Sequence, residues 1–141
     1  MILDIKLGEN FRRKARMVAG GHTTKTPSSV TYSSVVSRYL VRIMIMIAAL
    51  NNLDSQAVDI ENSYPIAPCR EKIWTRAETE FGMDEGKVYI LVKALYGLKS
   101  SGAAFSAFLA ERLDNMGLKL SITDPNIWMR EATKSDGEEY Y

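Results

Sequence analysis

Two carboxylates near the middle of the chain are the residues best suited to catalytic chemistry. Asp59 lies near the end of the short apolar run 56–60, and Glu61 stands two residues further on, so the two would point to the same side of a continuing strand. Burying a carboxylate in such a run is unfavourable unless a cation compensates its charge. Mg²⁺ prefers these hard oxygen ligands, together with water and substrate phosphates. The residues alone leave a metal site and an ordinary turn both open.

Positive charge is concentrated in one stretch near the N-terminus. The net charge of the 141 residues is +1, but residues 11–42 contain seven basic residues and no acidic one, so the remainder carries −6. The seven are Arg12, Arg13, Lys14, Arg16, Lys25, Arg38 and Arg42. This stretch predicts contact with phosphates of a nucleic acid or a nucleoside triphosphate, with a solvated basic face as the alternative.

Composition narrows the class of protein. A chain of this length with 46% hydrophobic residues predicts one compact unit or a piece of one. Cys69 is the only cysteine, which excludes an intramolecular disulfide and a cysteine-rich zinc site. The N-terminus does not resemble a signal peptide, and the most apolar stretch, 35–50, contains Ser37, Arg38 and Arg42. We therefore expect a soluble intracellular protein with no membrane partner.

The elements that must position these residues combine strands and helices, which predicts an α+β fold. Strands are expected at 14–19, 56–60, 72–75, 88–92 and 127–129, and an unpaired strand is expected to begin at Tyr140. The strand at 56–60 would deliver Asp59 to a sheet edge, before Pro65 and Pro68 stop any regular element. Turns are expected at Gly20 and Gly21 after the first strand, at 84–86 and at 135–137.

Two helices follow from apolar residues spaced three and four apart. The first covers residues 35–51, with its N-cap at Ser33 or Ser34. Its stripe of predicted buried residues comprises Val36, Tyr39, Leu40, Ile43, Met44, Ile47 and Leu50. The second covers residues 101–116 and ends at Gly117. Its predicted apolar face comprises Ala104, Phe105, Phe108, Leu109, Leu113 and Met116.

Five segments, in this order and spacing, resemble the reverse transcriptase domain of copia-type retrotransposons. They are 14–21, 32–43, 57–64, 93–101 and 124–128, and the most specific is 93–99, Lys-Ala-Leu-Tyr-Gly-Leu-Lys. The resemblance begins at about Phe11 and continues to the C-terminus. It implies a right-hand polymerase with an antiparallel sheet packed on helices, incomplete at its C-terminus. Residues 11–53 would belong to the fingers and 54–141 to the palm.

The resemblance also implies an activity and residue roles. Such enzymes add deoxynucleotides to a primer 3′ end on an RNA or DNA template, using two Mg²⁺ ions, with Mn²⁺ as an alternative. Asp59 matches the first metal-binding aspartate, and the backbone carbonyl of Ile60 would be an additional ligand. Tyr64 matches the residue under the sugar that excludes a 2′-hydroxyl. Lys14 or Arg16 would contact the triphosphate. Tyr96 and Gly97 would pack against the base or the template. Arg42 and Lys99 would contact the template or the primer.

Several positions depart from the family pattern. The usual Ala-Phe-Leu is replaced at residues 63–65, and the usual Ser-Pro is replaced by Ser101 and Gly102. The chain contains no adjacent pair of aspartates, which the family needs for its other metal ligands. We therefore expect a fragment that is inactive by itself, whose partners would be the template-primer, the nucleotide and the rest of a polyprotein. It would work in cytoplasmic particles or the nucleus.

Two other functions remain open on the sequence. The chain could be a degenerate transposon relic that acts, if at all, as a nucleic-acid-binding or interaction module. It could also be a small hydrolase that uses Asp59 and Glu61, although no nucleophile or base can be assigned.

Overall fold

The computed structural model describes residues 2–6, 12–28, 30–134, 137 and 139–140. In order, the elements are β1 Ile2–Lys6, β2 Arg12–Arg16, α1 Arg38–Leu50, α2 Ser63–Ile66, β3 Trp74–Arg76, a 3-10 helix Thr79–Asp84, β4 Val88–Ile90, α3 Ser101–Asn115, β5 Lys119–Leu120, β6 Trp128–Met129, β7 Ala132–Thr133 and β8 Glu139–Tyr140. This mixture of helices and strands confirms the α+β prediction. None of the described helices combines the length and apolar composition needed to cross a bilayer.

The strands pair as four separate two-stranded antiparallel ribbons, β1 with β2, β3 with β4, β5 with β6, and β7 with β8. The pairing is antiparallel, as predicted, but each described strand pairs only with a neighbour in sequence. The packing of an antiparallel sheet on helices, as in a right-hand polymerase, stays a prediction. The unpaired strand start at Tyr140 was also wrong, since Tyr140 pairs with Ala132. Two residues of the turn expected at 135–137 lie outside the described residues.

The chain divides into two compact units. Unit 1 comprises Met1–Tyr32 and Asn62–Phe108, and unit 2 comprises Ser33–Glu61 and Leu109–Tyr141. The buried residues of unit 1 are mostly small: Gly21, Ala67, Ala77, Ala94, Leu98 and Ser101. Small side chains allow its loops to approach one another closely. The division into fingers at 11–53 and palm at 54–141 stays a prediction.

Helix α1 begins three residues later than predicted, at Arg38 rather than Val35. Ser37 is the N-cap, because its side-chain oxygen accepts a hydrogen bond from the Leu40 amide at 3.2 Å. The predicted N-cap at Ser33 or Ser34 was wrong. The Ser34 hydroxyl instead lies 3.1 Å from the side-chain oxygen of Asn126, within unit 2.

The apolar stripe of α1 is not buried, contrary to the prediction. Helix α1 contains no buried residue; Tyr39 is 76% exposed and Leu50 is 75% exposed. Ile43, Met44 and Ile47 are 45–47% exposed. An amphipathic pattern shows what a helix can bury, but burial needs a covering surface. The described strands of unit 2 are only two residues long and do not provide one.

Helix α3 agrees with its prediction in both position and ending. It covers Ser101–Asn115, and Gly117 adopts φ +82° just beyond it, the left-handed geometry that ends many helices. Phe105, Phe108, Leu109 and Leu113 are half-buried, whereas Met116 is 63% exposed.

The β3–β4 ribbon encloses the turn predicted at residues 84–86, where Gly86 has φ +80°. The Asp84 carboxylate pairs with Lys87. Hydrogen bonding to Lys87, and then to Tyr89, lowers the pKa of Asp84, while the hydrogen bond to Asp84 raises the pKa of the Tyr89 hydroxyl. Because the Asp84 pKa is lowered on folding, its stabilising effect is present above the ordinary aspartate pKa and is lost as the pH falls through the folded value.

Replacing Asp84 by asparagine is expected to lower the Tyr89 pKa toward its ordinary value of 10.0, because the carboxylate that opposes ionisation of the phenol is removed. Titration of ¹³C-labelled tyrosine by NMR measures this change. Glu85→Gln is the matched control, since it removes an exposed neighbouring carboxylate that does not affect Tyr89. An unchanged Tyr89 pKa in Asp84→Asn would contradict the pairing.

Candidate functional site

The basic strand β2 leads directly to the segment that carries Tyr96. Beyond Arg16, Val18 forms an isolated parallel bridge with Tyr96, and the Ala19 amide donates to the Tyr96 carbonyl at 2.7 Å. The turn predicted after this strand is present at Gly21. Two segments far apart in sequence therefore run side by side within unit 1.

The two segments cross at a pair of glycines. Gly97 has φ +90°, and a Cβ atom there would lie 2.1 Å from the Ala19 carbonyl oxygen. A Cβ atom on Gly21 would lie 1.9 Å from the Gly97 carbonyl oxygen. Both distances are too short for any side chain, so the crossing requires glycine at both positions. Gly97 therefore lies close to the backbone of Ala19 and Gly21. The expected close approach of Gly97 to a nucleotide stays a prediction.

Side chains also tie the loop after β2 to the start of α3. The Lys99 ammonium donates to the Thr24 carbonyl at 2.9 Å, and the Thr24 hydroxyl donates to the Gly21 carbonyl at 2.8 Å. The hydroxyl of buried Ser101 donates to the Leu95 carbonyl at 2.6 Å. Lys99 thus fixes the loop, and its contact with a template or primer stays a prediction.

A short helix places Tyr64 beside this crossing. Asn62 adopts left-handed geometry with φ +51°, and α2 follows with Pro65 in its first turn, where proline is tolerated. The expectation that the prolines stop all regular structure was therefore wrong for Pro65. Beyond α2, the Ala94 amide donates to the Ala67 carbonyl at 3.0 Å. The Lys93 ammonium donates to the Ile66 carbonyl at 3.1 Å.

These contacts assemble an aromatic cluster, which consists of Arg16, Tyr64, Tyr96 and Phe105. The Arg16 guanidinium carbon lies 5.9 Å from the centroid of the Tyr96 ring. The Tyr96 and Tyr64 centroids are 4.9 Å apart and tilted by 45°, and Tyr64 meets Phe105 edge-on at 6.2 Å. A guanidinium beside aromatic faces offers phosphate contact together with a stacking surface.

The structure brings three of the predicted nucleotide-binding side chains together, namely Arg16, Tyr64 and Tyr96. Sequence reasoning did not assign Phe105 to the site, although it placed this residue on the apolar face of its helix. It also gave no role in the site to Gly21. The pair of adjacent glycines after a strand could have indicated a close contact between backbones there. The Lys14 backbone lies in β2, whereas its side chain is outside the described residues.

The predicted metal ligands lie in unit 2. Residues 56–60 do not form a strand, so that prediction was wrong. A strand needs a hydrogen-bonding partner, and these residues have none among the described strands. Asp59 is exposed, Ile60 is 42% exposed and Val58 is 84% exposed. Arg42 is exposed on α1.

Within the described part of the chain, no group of three or more His, Cys, Asp or Glu side chains could hold a metal ion. Asp59 has the correct ligand chemistry for Mg²⁺, but the described residues do not fit a complete metal centre. The assignments of Asp59 and Ile60 stay predictions.

Comparison with known proteins shows similarity to one protein family. Residues 4–137 match the family described as reverse transcriptase (RNA-dependent DNA polymerase). The chain is 34% identical over 107 residues to the Transposon Ty1-NL2 Gag-Pol polyprotein of Saccharomyces cerevisiae. The aligned region covers 72% of this chain and 6% of the polyprotein. The chain is 36% identical over 92 residues to the Transposon Ty1-BL Gag-Pol polyprotein of the same yeast. That alignment covers 64% of this chain and 5% of the polyprotein. The chain thus spans a small part of these relatives. No solved structure matches it.

Proposed function

The chain belongs to the reverse transcriptase (RNA-dependent DNA polymerase) family, and we propose that its aromatic cluster forms the nucleotide-binding face of a copia-type enzyme. The contact between Arg16 and Tyr96 is the single observation that carries this proposal. It combines a cation suited to a triphosphate with an aromatic face suited to a base or sugar.

The residue roles in this proposal follow the order of the cluster. Arg16 contacts the phosphates, with Lys14 two residues before it in the same strand. Tyr64 lies under the sugar, where its ring would exclude a 2′-hydroxyl. Tyr96 and Gly97 pack against the base or template, and Lys99 and Arg42 contact template or primer. The 4.9 Å separation of the Tyr64 and Tyr96 ring centroids supports this assignment, because it places the proposed sugar contact beside the proposed base contact.

The proposal extends to the fold and to the parent protein. Residues 11–53 would form a fingers-like part and residues 54–141 a palm-like part of a right-hand polymerase. The relatives are Gag-Pol polyproteins. We infer a parent polyprotein that copies an RNA or DNA template within intracellular particles or the nucleus.

Metal chemistry belongs to the complete enzyme in this proposal. Divalent ions in polymerases activate the primer hydroxyl and stabilise the leaving pyrophosphate. Asp59 would be one ligand of Mg²⁺ or Mn²⁺, with the Ile60 carbonyl as another. Exposure of Asp59 leaves its carboxylate accessible to an ion.

Binding of a deoxynucleoside triphosphate by the 141-residue chain tests the nucleotide-binding proposal. Arg16→Ala is expected to weaken binding of dATP about tenfold or more, because a charge-assisted hydrogen bond contributes about 1.5–3 kcal/mol. Equilibrium dialysis at low salt measures the dissociation constant. Arg76→Ala is the matched control, since Arg76 is an exposed arginine on β3 outside the cluster. Equal affinities for the two variants would contradict the role of Arg16.

The chain by itself is expected to incorporate no nucleotide on a primed template. Its sequence contains no adjacent pair of aspartates, and its described residues do not make a complete metal centre. Primer extension with purified protein, Mg²⁺ or Mn²⁺ and labelled nucleotide measures this activity. The Asp59→Asn variant supplies the background, and incorporation above that background would overturn the expectation.

Nucleic-acid binding without catalysis is a second candidate function. The seven basic residues between 11 and 42, with no acidic residue among them, favour it, because such a stretch can neutralise backbone phosphates of any sequence.

A further inference from the structure

The outer edge of strand β4 is open in unit 1. On the inner edge, the Leu91 amide donates to the Ile73 carbonyl at 2.9 Å. Hydrogen-bonded and non-hydrogen-bonded pairs alternate along an antiparallel ribbon, so the backbone N–H and C=O groups of Val88 and Ile90 point away from β3. None of the described strands pairs with β4 on that side.

The side chains of β4 suit pairing with another strand. Val88 is 56% exposed and Ile90 is 72% exposed, and they share one face of the ribbon because they are two residues apart. Tyr89 lies between them on the opposite face, where its ring stacks on Phe81 at 6.3 Å. Valine, isoleucine and tyrosine all favour strands. An exposed, uncharged edge built from such residues is a template for pairing with another chain.

The opposite edge of the ribbon, along β3, is protected by charge. Arg76 is exposed on β3, and Lys72 is exposed four residues before it. If two β3 edges paired about a twofold axis at Trp74, Arg76 of one copy would face Lys72 of the other, and like charges directly opposite are destabilising. Strand β4 carries no charged residue, and Lys87 just before it is paired with Asp84. Pairing through β4 alone therefore closes as a dimer and does not extend into a fibre.

We propose that two copies of this chain pair through their β4 edges, antiparallel about a twofold axis at Tyr89, to form a four-stranded sheet. Val88 of one copy then faces Ile90 of the other, and each of these two pairs exchanges both of its backbone hydrogen bonds. These aliphatic side chains meet on one face of the sheet, and the two Tyr89 side chains meet on the other. The same surface serves both copies, as a twofold axis requires.

Hydrogen bonds already made within unit 1 select this register. The next outward positions on either side of the edge are Gly86 and Val92. The Gly86 amide donates to the Ala77 carbonyl at 2.8 Å. The Val92 carbonyl accepts from the Cys69 amide at 3.0 Å. A register centred on either end of β4 would need one of these occupied groups, whereas the register centred on Tyr89 needs neither.

Sedimentation velocity of the purified chain tests this proposal. Monomers are expected at about 1 µM and dimers at about 500 µM, because a small interface associates weakly and by mass action. Ile90→Lys is expected to weaken dimerisation about tenfold or more, because it places a charge at the edge that pairs. Trp74→Lys is the matched control, since Trp74 is 66% exposed on the same face of the ribbon but lies one strand away from the paired edges. This control should dimerise like the unaltered chain.

Amide hydrogen exchange locates the contact in the unaltered chain. Raising the protein concentration from about 1 to about 500 µM should slow exchange of the Val88 and Ile90 amides about twofold or more. The Trp74 and Arg76 amides point to the β3 edge and should exchange at the same rate at both concentrations. Mass spectrometry with fragmentation at single-residue resolution measures these rates.

Four results would overturn the proposal. The chain could stay monomeric, or Ile90→Lys could dimerise as well as Trp74→Lys. Equal loss of dimerisation in both variants would indicate packing through the ribbon face, and slowed exchange at Trp74 and Arg76 would place the contact on β3. Circular dichroism confirms that each variant is folded, and if Ile90→Lys is not, the exchange rates decide. None of these results would affect dATP binding at Arg16, because the ribbon shares no residue with the aromatic cluster.

Discussion

Gly97→Ala is expected to lower the free energy of unfolding by roughly 2–6 kcal/mol, because the substitution adds backbone strain to a steric clash. Gly97 has φ +90°, and its new Cβ atom would lie 2.1 Å from the Ala19 carbonyl oxygen. Gly21→Ala is expected to cost about 1–3 kcal/mol through the clash with the Gly97 carbonyl oxygen. Urea denaturation followed by circular dichroism measures both losses.

The chain supplies a matched control for each glycine. Gly82 has φ +55° and ψ −119° with nothing within 4 Å of an added Cβ atom, so Gly82→Ala should show only the backbone strain of about 1–3 kcal/mol. Gly20 neighbours Gly21 but has its nearest atoms at 3.6 Å, so Gly20→Ala should be nearly neutral. If Gly21→Ala unfolds at the same urea concentration as Gly20→Ala, the two backbones do not cross as closely as the structure shows.

The local features of this fold could be predicted from sequence because their causes are local. Helix α3 has an apolar face and a glycine stop within one continuous segment. The β3–β4 ribbon has two short runs rich in aromatic and β-branched residues around a turn that contains Gly86. In both cases the residues that form the element also determine its limits.

The failed predictions concern features that depend on a distant partner. Residues 56–60 have the composition of a strand, but hydrogen bonding to another strand decides whether one forms. The apolar stripe of α1 has helical spacing, but a covering element decides whether Tyr39 and Leu50 are buried. The N-cap of α1 was missed for a different reason, since several serines precede the helix and only geometry selects Ser37.

The candidate site depends both on residues that the sequence identified and on contacts between distant segments that only the structure shows. Resemblance to the family selected Arg16, Tyr64 and Tyr96, and the structure places these three side chains in one cluster. The crossing of Gly21 with Gly97 could not be predicted, because the contact joins segments far apart in the chain and no periodicity encodes it. The same crossing holds β2 beside Tyr96, so the backbone geometry supports the position of Arg16.

Binding of single-stranded RNA by the chain is expected to weaken steeply with salt, because cations in residues 11–42 would displace counterions from the phosphates. Each neutralised phosphate of a single strand contributes about 0.7 to the slope of log affinity against log salt concentration. The double variant Lys14→Ala with Arg16→Ala should therefore reduce the slope by about 1.4 if both residues contact phosphates. Fluorescence anisotropy of a labelled oligonucleotide at several salt concentrations measures the slope.

The matched control is Lys72→Ala with Arg76→Ala, which removes the same charge from two exposed positions outside the basic stretch. This pair should leave the slope nearly unchanged, because residues that contact no phosphate release no counterion. If the two double variants lose affinity and slope equally, then net charge rather than the position of the cations drives the association. In that case the clustering of basic residues between positions 11 and 42 would give no reason to infer that this stretch binds nucleic acid.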